Sequence, residues 1–310
     1  LADRVYNGDV SSWAKYANSL KLRLAMRIVN ADEALAQTKA EEAVNSEAGV
    51  FTSNTDNAYF TTQKNPFRVV MYEYNGGDSR ISADITSYMN GYDDPRRPFY
   101  FTISTFDESN ITQSNGFHGL RSGVLVPQGE YRKYSNMNVK IDDKLMWMNA
   151  AEITFLRAEG AIRGWNMQGN AEDLYNLGIE LSFDQWGAQG VTQYINDKTK
   201  TPQQYKDPQC YLNYTGVTSS CTIKWDESAD FETKLEKIIT QKWIANFPLG
   251  HEAWAEFRRT GYPRLMEPKD NLSGGTVSNK RMARRLMYPQ IEYTDNNENV
   301  EQAVRDYLNG

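Results

Sequence analysis

His251 and Glu252 are adjacent in the sequence, as the first two residues of a helical zinc motif HExxH would be. That motif needs a second histidine four residues after the first, so that both imidazoles share one helix face, and position 255 is alanine. The chain has two histidines in all, too few to complete a Cys/His metal site. Nucleophile and phosphate signatures are missing as well: there is no GxSxG elbow, no GxxxxGK(S/T) loop and no GxGxxG turn after a strand. Paired acids occur at Asp93-Asp94 and Asp142-Asp143. Such pairs could serve glycoside hydrolysis or hold calcium, but acids in loops more commonly form turns and caps. The expectation is a protein that is not an enzyme, with no metal and no cofactor.

Aromatic residues carry a stronger signal. The chain has 19 Tyr, 12 Phe and 7 Trp, many of them outside amphipathic segments and next to amides, acids or arginines. A flat ring suits the C–H face of a pyranose, while Asn, Asp and Arg hydrogen-bond adjacent hydroxyls. On this reasoning Tyr72, Tyr74, Asn75, Arg80, Phe117, Tyr131 and Trp225 are the candidate glycan contacts. The competing reading of each ring is an anchor that pins a loop to the core. Cys210 and Cys221, with ten residues between them in a polar loop, read as a disulfide, with two separate thiols as the alternative. A bridge would place the chain in an oxidising compartment.

Helices must position these loops. Trp13, Ala17, Leu20, Leu24 and Ile28 recur at helical spacing, with Lys15, Lys21, Arg23 and Arg27 opposite and Ser11 or Ser12 at the N-cap position. A second helix ending near Gly49 completes a hairpin over about 11–48. Residues 50–143 are loop-rich, with a short helix near 81–88 and extended runs at 99–103 and 123–126. Helical spacing returns at Lys144, through Leu145, Met148, Ala151, Phe155, Ala158 and Ile162, and a second hairpin spans about 144–187. After a loop over 189–226, a third spans about 228–260 and stops at Gly261-Tyr262-Pro263, and the tail reads as polar. Long helices and few strands predict a mainly α fold with tetratricopeptide-like helix pairs against a loop-rich region.

Composition narrows the partners. Of 310 residues, 40% are apolar and 24% charged, which is ordinary for a globular chain. Forty Asp+Glu against 34 Lys+Arg give a net charge of −6, so no basic excess marks the chain for nucleic acid. No run approaches the roughly 20 apolar residues of a membrane-crossing helix. Leu1 is not an initiator Met, and the chain reads as processed or trimmed.

Four segments, in order, resemble the SusD/RagB family. They are the helix Trp13-Ala14-Lys15-Tyr16-Ala17-Asn18-Ser19-Leu20-Lys21-Leu22-Arg23-Leu24-Ala25-Met26-Arg27-Ile28, the loop Asp94-Pro95-Arg96-Arg97-Pro98, the helix Ala151-Glu152-Ile153-Thr154-Phe155-Leu156-Arg157-Ala158-Glu159, and the turn Trp254-Ala255-Glu256-Phe257-Arg258-Arg259-Thr260-Gly261-Tyr262-Pro263. The resemblance covers nearly the whole chain and implies a single SusD-like domain over 1–310. It implies a surface lipoprotein of a Gram-negative outer membrane, anchored through an N-terminal lipid outside this sequence. Such a protein binds oligo- or polysaccharide without cleaving it and delivers it to a TonB-dependent transporter of the SusC type. The matched motifs read as architectural, with Arg23, Arg27, Arg96 and Arg258 pairing with acids such as Glu152 and Glu159. The alternative function is a helical-repeat scaffold that binds protein and no glycan.

Overall fold

Helix α1 (Val10–Arg27) starts at Asp9, whose side chain accepts from the Ser11 amide, so the cap precedes both serines expected to provide it. Helix α2 (Glu33–Val44) starts at Asp32 in the same way and completes the first hairpin. The buried face of α1 is rotated from the expected stripe: Leu22, Ala25 and Met26 are inside, while Leu24 is 57% exposed. The cause is that Arg23 and Arg27, expected on the outer face, point toward carboxylates of other helices. A computed structural model describes residues 2–126, 129–216, 219–278 and 282–307, and these are mainly helical, as expected.

The loop-rich stretch holds more helix than its pattern showed. Asn65 caps α3 (Pro66–Tyr72), accepting from the amides of Phe67 and Arg68, with Pro66 at the first helical position. Ser82 caps α4 (Ala83–Gly91), and α5 (Arg97–Tyr100) occupies the start of a run expected to be extended. Within that run Phe101 alone forms a bridge, to Met137, and 123–126 is not a strand. The strands lie elsewhere: β1 (Ala58–Phe60) pairs antiparallel with β2 (Leu145–Met148). β2 occupies residues expected to open a helix, because Asn149 accepts from the Glu152 amide and starts α6 (Ala150–Ile162) one turn later.

α6 is buried from Ala150 to Gly160 and packs on α7 (Ala171–Trp186). Their approach is close enough that a Cβ on Gly178 would lie 2.8 Å from the Phe155 ring. Next come α8 (Val191–Ile195), α9 (Phe231–Ala245) and α10 (Gly250–Thr260). The chain divides into two compact units, 1–268 and 269–310. The second unit contains α11 (Gln290–Asp295) and α12 (Asn297–Tyr307).

Buried charge joins α1, α6, α9 and α10. The Lys242 side chain of α9 is 1% exposed, with Nζ 2.9 Å from Glu252 and 3.3 Å from Glu256 of α10. Arg23 grips Glu152 of α6 with two donors, Nε at 2.6 Å and Nη2 at 2.7 Å. Arg27 reaches Glu252 and Glu256, and Arg259 bridges Glu256 to Glu159 at 2.5–2.6 Å. Arg259 is thus the partner of Glu159, whereas the neighbouring Arg258 lies 4.6 Å over the Trp254 ring. Arg96 pairs with Asp94 through two donors at 2.9 and 2.6 Å, both side chains fully buried, and donates to Ser182 of α7. Arg23, Arg27 and Arg96 therefore have architectural carboxylate partners, though Arg27 and Arg96 do not use Glu152 or Glu159.

Removing one member of such a network leaves a buried charge uncompensated, so Lys242→Met should cost about 3–5 kcal/mol in urea unfolding. A loss below about 1 kcal/mol would mean that the carboxylates relax into water. Burial pushes the Glu252 carboxyl up, but Lys242, Arg23 and Arg27 outweigh it and hold it at about 2 against an ordinary 4.5. A lowered native pKa gives stability that is present above pH 4.5 and lost as pH falls toward 2. Stability should fall through that window, and less steeply in Glu252→Gln.

Candidate functional site

Five of the candidate glycan contacts, Tyr72, Tyr74, Asn75, Arg80 and Tyr131, come together on one surface formed by the end of α3, the loop after it and the turn at Glu130–Lys133. Tyr72 ends α3, donates its hydroxyl to the Met137 carbonyl at 2.6 Å, and has the Arg68 guanidinium 4.0 Å over its ring. The chain then turns left-handed at Asn75, Gly76 and Gly77, with φ of +48°, +69° and +70°. A side chain at Gly77 would be strained by that φ and would bring Cβ within 2.8 Å of the Tyr72 carbonyl oxygen. This turn leaves Tyr74 62% exposed.

Arg80 ties the two segments together. Its Nη1 donates to the Gly77 and Ser79 carbonyls at 2.8 and 2.5 Å, and its Nη2 donates to the Arg132 carbonyl at 3.1 Å. The guanidinium carbons of Arg80 and Arg132 are each 5.8 Å from the centroid of the Tyr131 ring, within cation–π range. Burial lowers the pKa of Arg80. The same arginine lines a cavity of about 280 Å³ walled by Phe67, Met71, Trp243 and Phe247. A second cavity of about 400 Å³ shares Phe67, Met137 and Pro248 with it. In the first cavity the Asn246 side-chain oxygen and Arg80 Nε are buried without a hydrogen-bond partner among the described residues. An apolar wall with a few polar atoms and an exposed tyrosine beside it can take a sugar ring with its C–H face inward.

Two candidates do not join this surface. Trp225 is buried against Tyr175, ring centroids 5.1 Å apart, and donates Nε1 to Glu227 at 2.8 Å. Phe117 is partly buried, 6.3 Å from Phe101 and 5.7 Å from the Arg97 guanidinium. Both rings pin loops to the helices, which is the competing reading of the aromatic pattern. The expected disulfide is also absent, since Cys210 and Cys221 are free thiols. Cys210 is on an exposed loop, Sγ 3.0 Å from the Thr112 hydroxyl. Tyr92 holds the Cys221 carbonyl at 2.9 Å, and burial raises the Cys221 thiol to about 12. The paired acids serve structure: Asp93 pairs with Arg97, Asp94 with Arg96, and Asp143 accepts from the Lys140 amide. Among the described residues no three His, Cys, Asp or Glu side chains group as a metal site would.

Arg68 and Arg132 belong to the site but were not among the candidates. The signal for Arg68 was available in Asn65-Pro66, a helix start that puts positions 68 and 72 one turn apart on one face.

The family model for SusD-like proteins, described as SusD and RagB outer membrane lipoproteins, matches residues 1–310. The chain belongs to the SusD-like family. A SusD homolog from Bacteroides uniformis is 48% identical, with a TM-score of 0.93 over 100% of this chain and 64% of its own. One from Bacteroides thetaiotaomicron is 43% identical, with a TM-score of 0.89 over 98% of this chain and 63% of its own. A chitin-binding SusD homolog from Flavobacterium johnsoniae is 42% identical, with a TM-score of 0.88 over 98% of this chain and 62% of its own. This SusD-like chain therefore spans under two thirds of the length of these relatives. No curated protein matches the sequence.

Exposed Tyr74 and buried Trp225 should separate in stability. Tyr74→Ala is expected to stay within about 0.5 kcal/mol of wild type. Trp225→Ala should lose about 3–5 kcal/mol in chemical denaturation. A thiol-reactive dye should label Cys210 in the native protein and Cys221 only on unfolding; a single disulfide by mass spectrometry would contradict the free-thiol arrangement.

Proposed function

We propose that this protein captures oligo- or polysaccharide at the outer face of the outer membrane, without cleaving it, and delivers it to a SusC-like TonB-dependent transporter. The observation that carries the reading is the 42% identity over 98% of the chain to a chitin-binding homolog. The tyrosine surface beside an apolar cavity supports it, because it offers ring faces and hydrogen-bonding groups together. Among the described residues no helix is long and apolar enough to cross a membrane, so membrane attachment would rest on the lipid that the family description implies. Each step has a molecular basis: stacking holds the sugar ring, the arginine and asparagine groups orient its hydroxyls, and shallow contacts let the glycan leave for the transporter.

The test is affinity electrophoresis and calorimetry against plant, host and microbial glycans including chitin oligosaccharides, with a product assay alongside. Tyr74→Ala and Tyr131→Ala are each expected to weaken the best ligand about tenfold, a loss of about 1.4 kcal/mol. Unchanged affinity in both variants would remove the tyrosine surface from the site. Release of shorter products would overturn the non-catalytic reading.

A further inference from the structure

The tyrosine surface is unusually cationic for a chain whose net charge is −6. Arg68, Arg80 and Arg132 all stand on it, each against a tyrosine ring at 4.0–5.8 Å. None of the three makes an ion pair among the described residues, in contrast to Arg23, Arg27, Arg96, Arg97 and Arg259, which all have carboxylates. The acids of the neighbourhood offset them only in part: Glu130 pairs with Lys133, and Asp78 attracts Arg80 without forming an ion pair with it. Arg68 Nη1 and Arg80 Nε are buried donors without partners. Arg132 is exposed, and its Nη2 is 2.8 Å from where a Cβ on Gly76 would be, so the absence of a side chain there leaves the guanidinium room at the surface.

Guanidinium groups without counter-ions are unfavourable beside one another and favourable toward carboxylate or sulfate, which they bind with paired donors. A neutral glycan would gain nothing from three positive charges, since one arginine suffices to bind hydroxyls. We infer that this surface takes an anionic saccharide, bearing uronate carboxylates or sulfate esters, with Arg132 as the exposed donor and Arg68 and Arg80 supplying positive potential behind it. The inference rests on the glycan-binding reading and names the ligand class for it.

The experiment measures affinity of the whole chain for polygalacturonate, chondroitin sulfate, and neutral chitin oligosaccharides and dextran. Binding of an acidic glycan at least about tenfold tighter than the neutral ones is expected, and it should weaken at least tenfold between about 0.1 M and about 1 M salt, as the Debye length shrinks from about 10 Å to about 3 Å. Polygalacturonate carries carboxylates alone and chondroitin sulfate carries both groups, so binding of polygalacturonate points to uronate and binding of chondroitin sulfate alone points to sulfate. Arg132→Gln should lose about tenfold in affinity for the acidic ligand and flatten the salt dependence, with Arg132→Lys restoring part of both. Thermal melting checks that each variant is folded, and Arg68→Gln gives an independent second variant. Neutral glycans binding as tightly, without salt dependence, would overturn the anionic class and leave glycan capture standing. No binding to any glycan would overturn both.

Discussion

An ammonium group taken out of water is tolerated only where carboxylates surround it, and Lys242 imposes that condition on four helices. Glu252 and Glu256 from α10 and Glu152 from α6 must converge on it, and Arg23, Arg27 and Arg259 must then balance the acids. Glu256 is the buried residue of α10, so that helix is held by charge more than by an apolar face. Apolar packing tolerates sliding by a fraction of a turn, but paired ions at under 3 Å do not. The network therefore fixes the register of α10 against α1 and α9, and with it the Phe247-Pro248-Leu249 link that walls the cavity beside the tyrosine surface.

The same device recurs where the loop-rich part meets the helices. Asp94 and Arg96 are fully buried, and the arginine donates to Ser182 on α7 while its guanidinium lies 4.7 Å over the Phe183 ring. A short loop is thereby fastened to the helical layer by one side chain with its charge satisfied locally. Around it, aromatic rings close the remaining space: Tyr100 stacks on Phe247 at 4.9 Å, and Tyr92 and Tyr194 meet edge to face. Most of the described aromatic residues are thus at least partly buried and structural; Tyr74 is exposed beside the half-buried Tyr72 and Tyr131, and Tyr211 and Tyr307 are exposed elsewhere.

This division explains what was legible in the sequence. Helical periodicity located α1, α2, α6, α7, α9 and α10, because apolar spacing survives whatever a helix packs against. It misplaced the inner face of α1, because Arg23 and Arg27 are half-buried there and a rule that sorts charge outward cannot see a partner 129 residues away, as Glu152 is from Arg23. β2 was hidden because the apolar run 145–148 fits a helix through Leu145 and Met148 or a strand through Met146 and Met148, and Asn149 decides between them by capping. Within the site, Tyr74 and Tyr131 were recognisable from polar neighbours, but Trp225 next to Asp226 has the same local appearance and is buried. Ring exposure is set by Tyr175 and Lys234, which approach Trp225 only in the folded chain.

Arg80 adds a thermodynamic consequence. By holding carbonyls of Gly77, Ser79 and Arg132 at once, it joins two segments that are 52 residues apart in sequence, and the left-handed turn at Asn75–Gly77 restricts the loop further. The conformational entropy of shaping the surface is therefore spent during folding and not during association. A ligand that meets such a surface finds its contacts already in place, so its capture is limited by encounter and its residence time is set by the contacts alone, without a slow ordering step in either direction. A surface fixed in advance therefore exchanges its ligand faster than a loop that has to order around it.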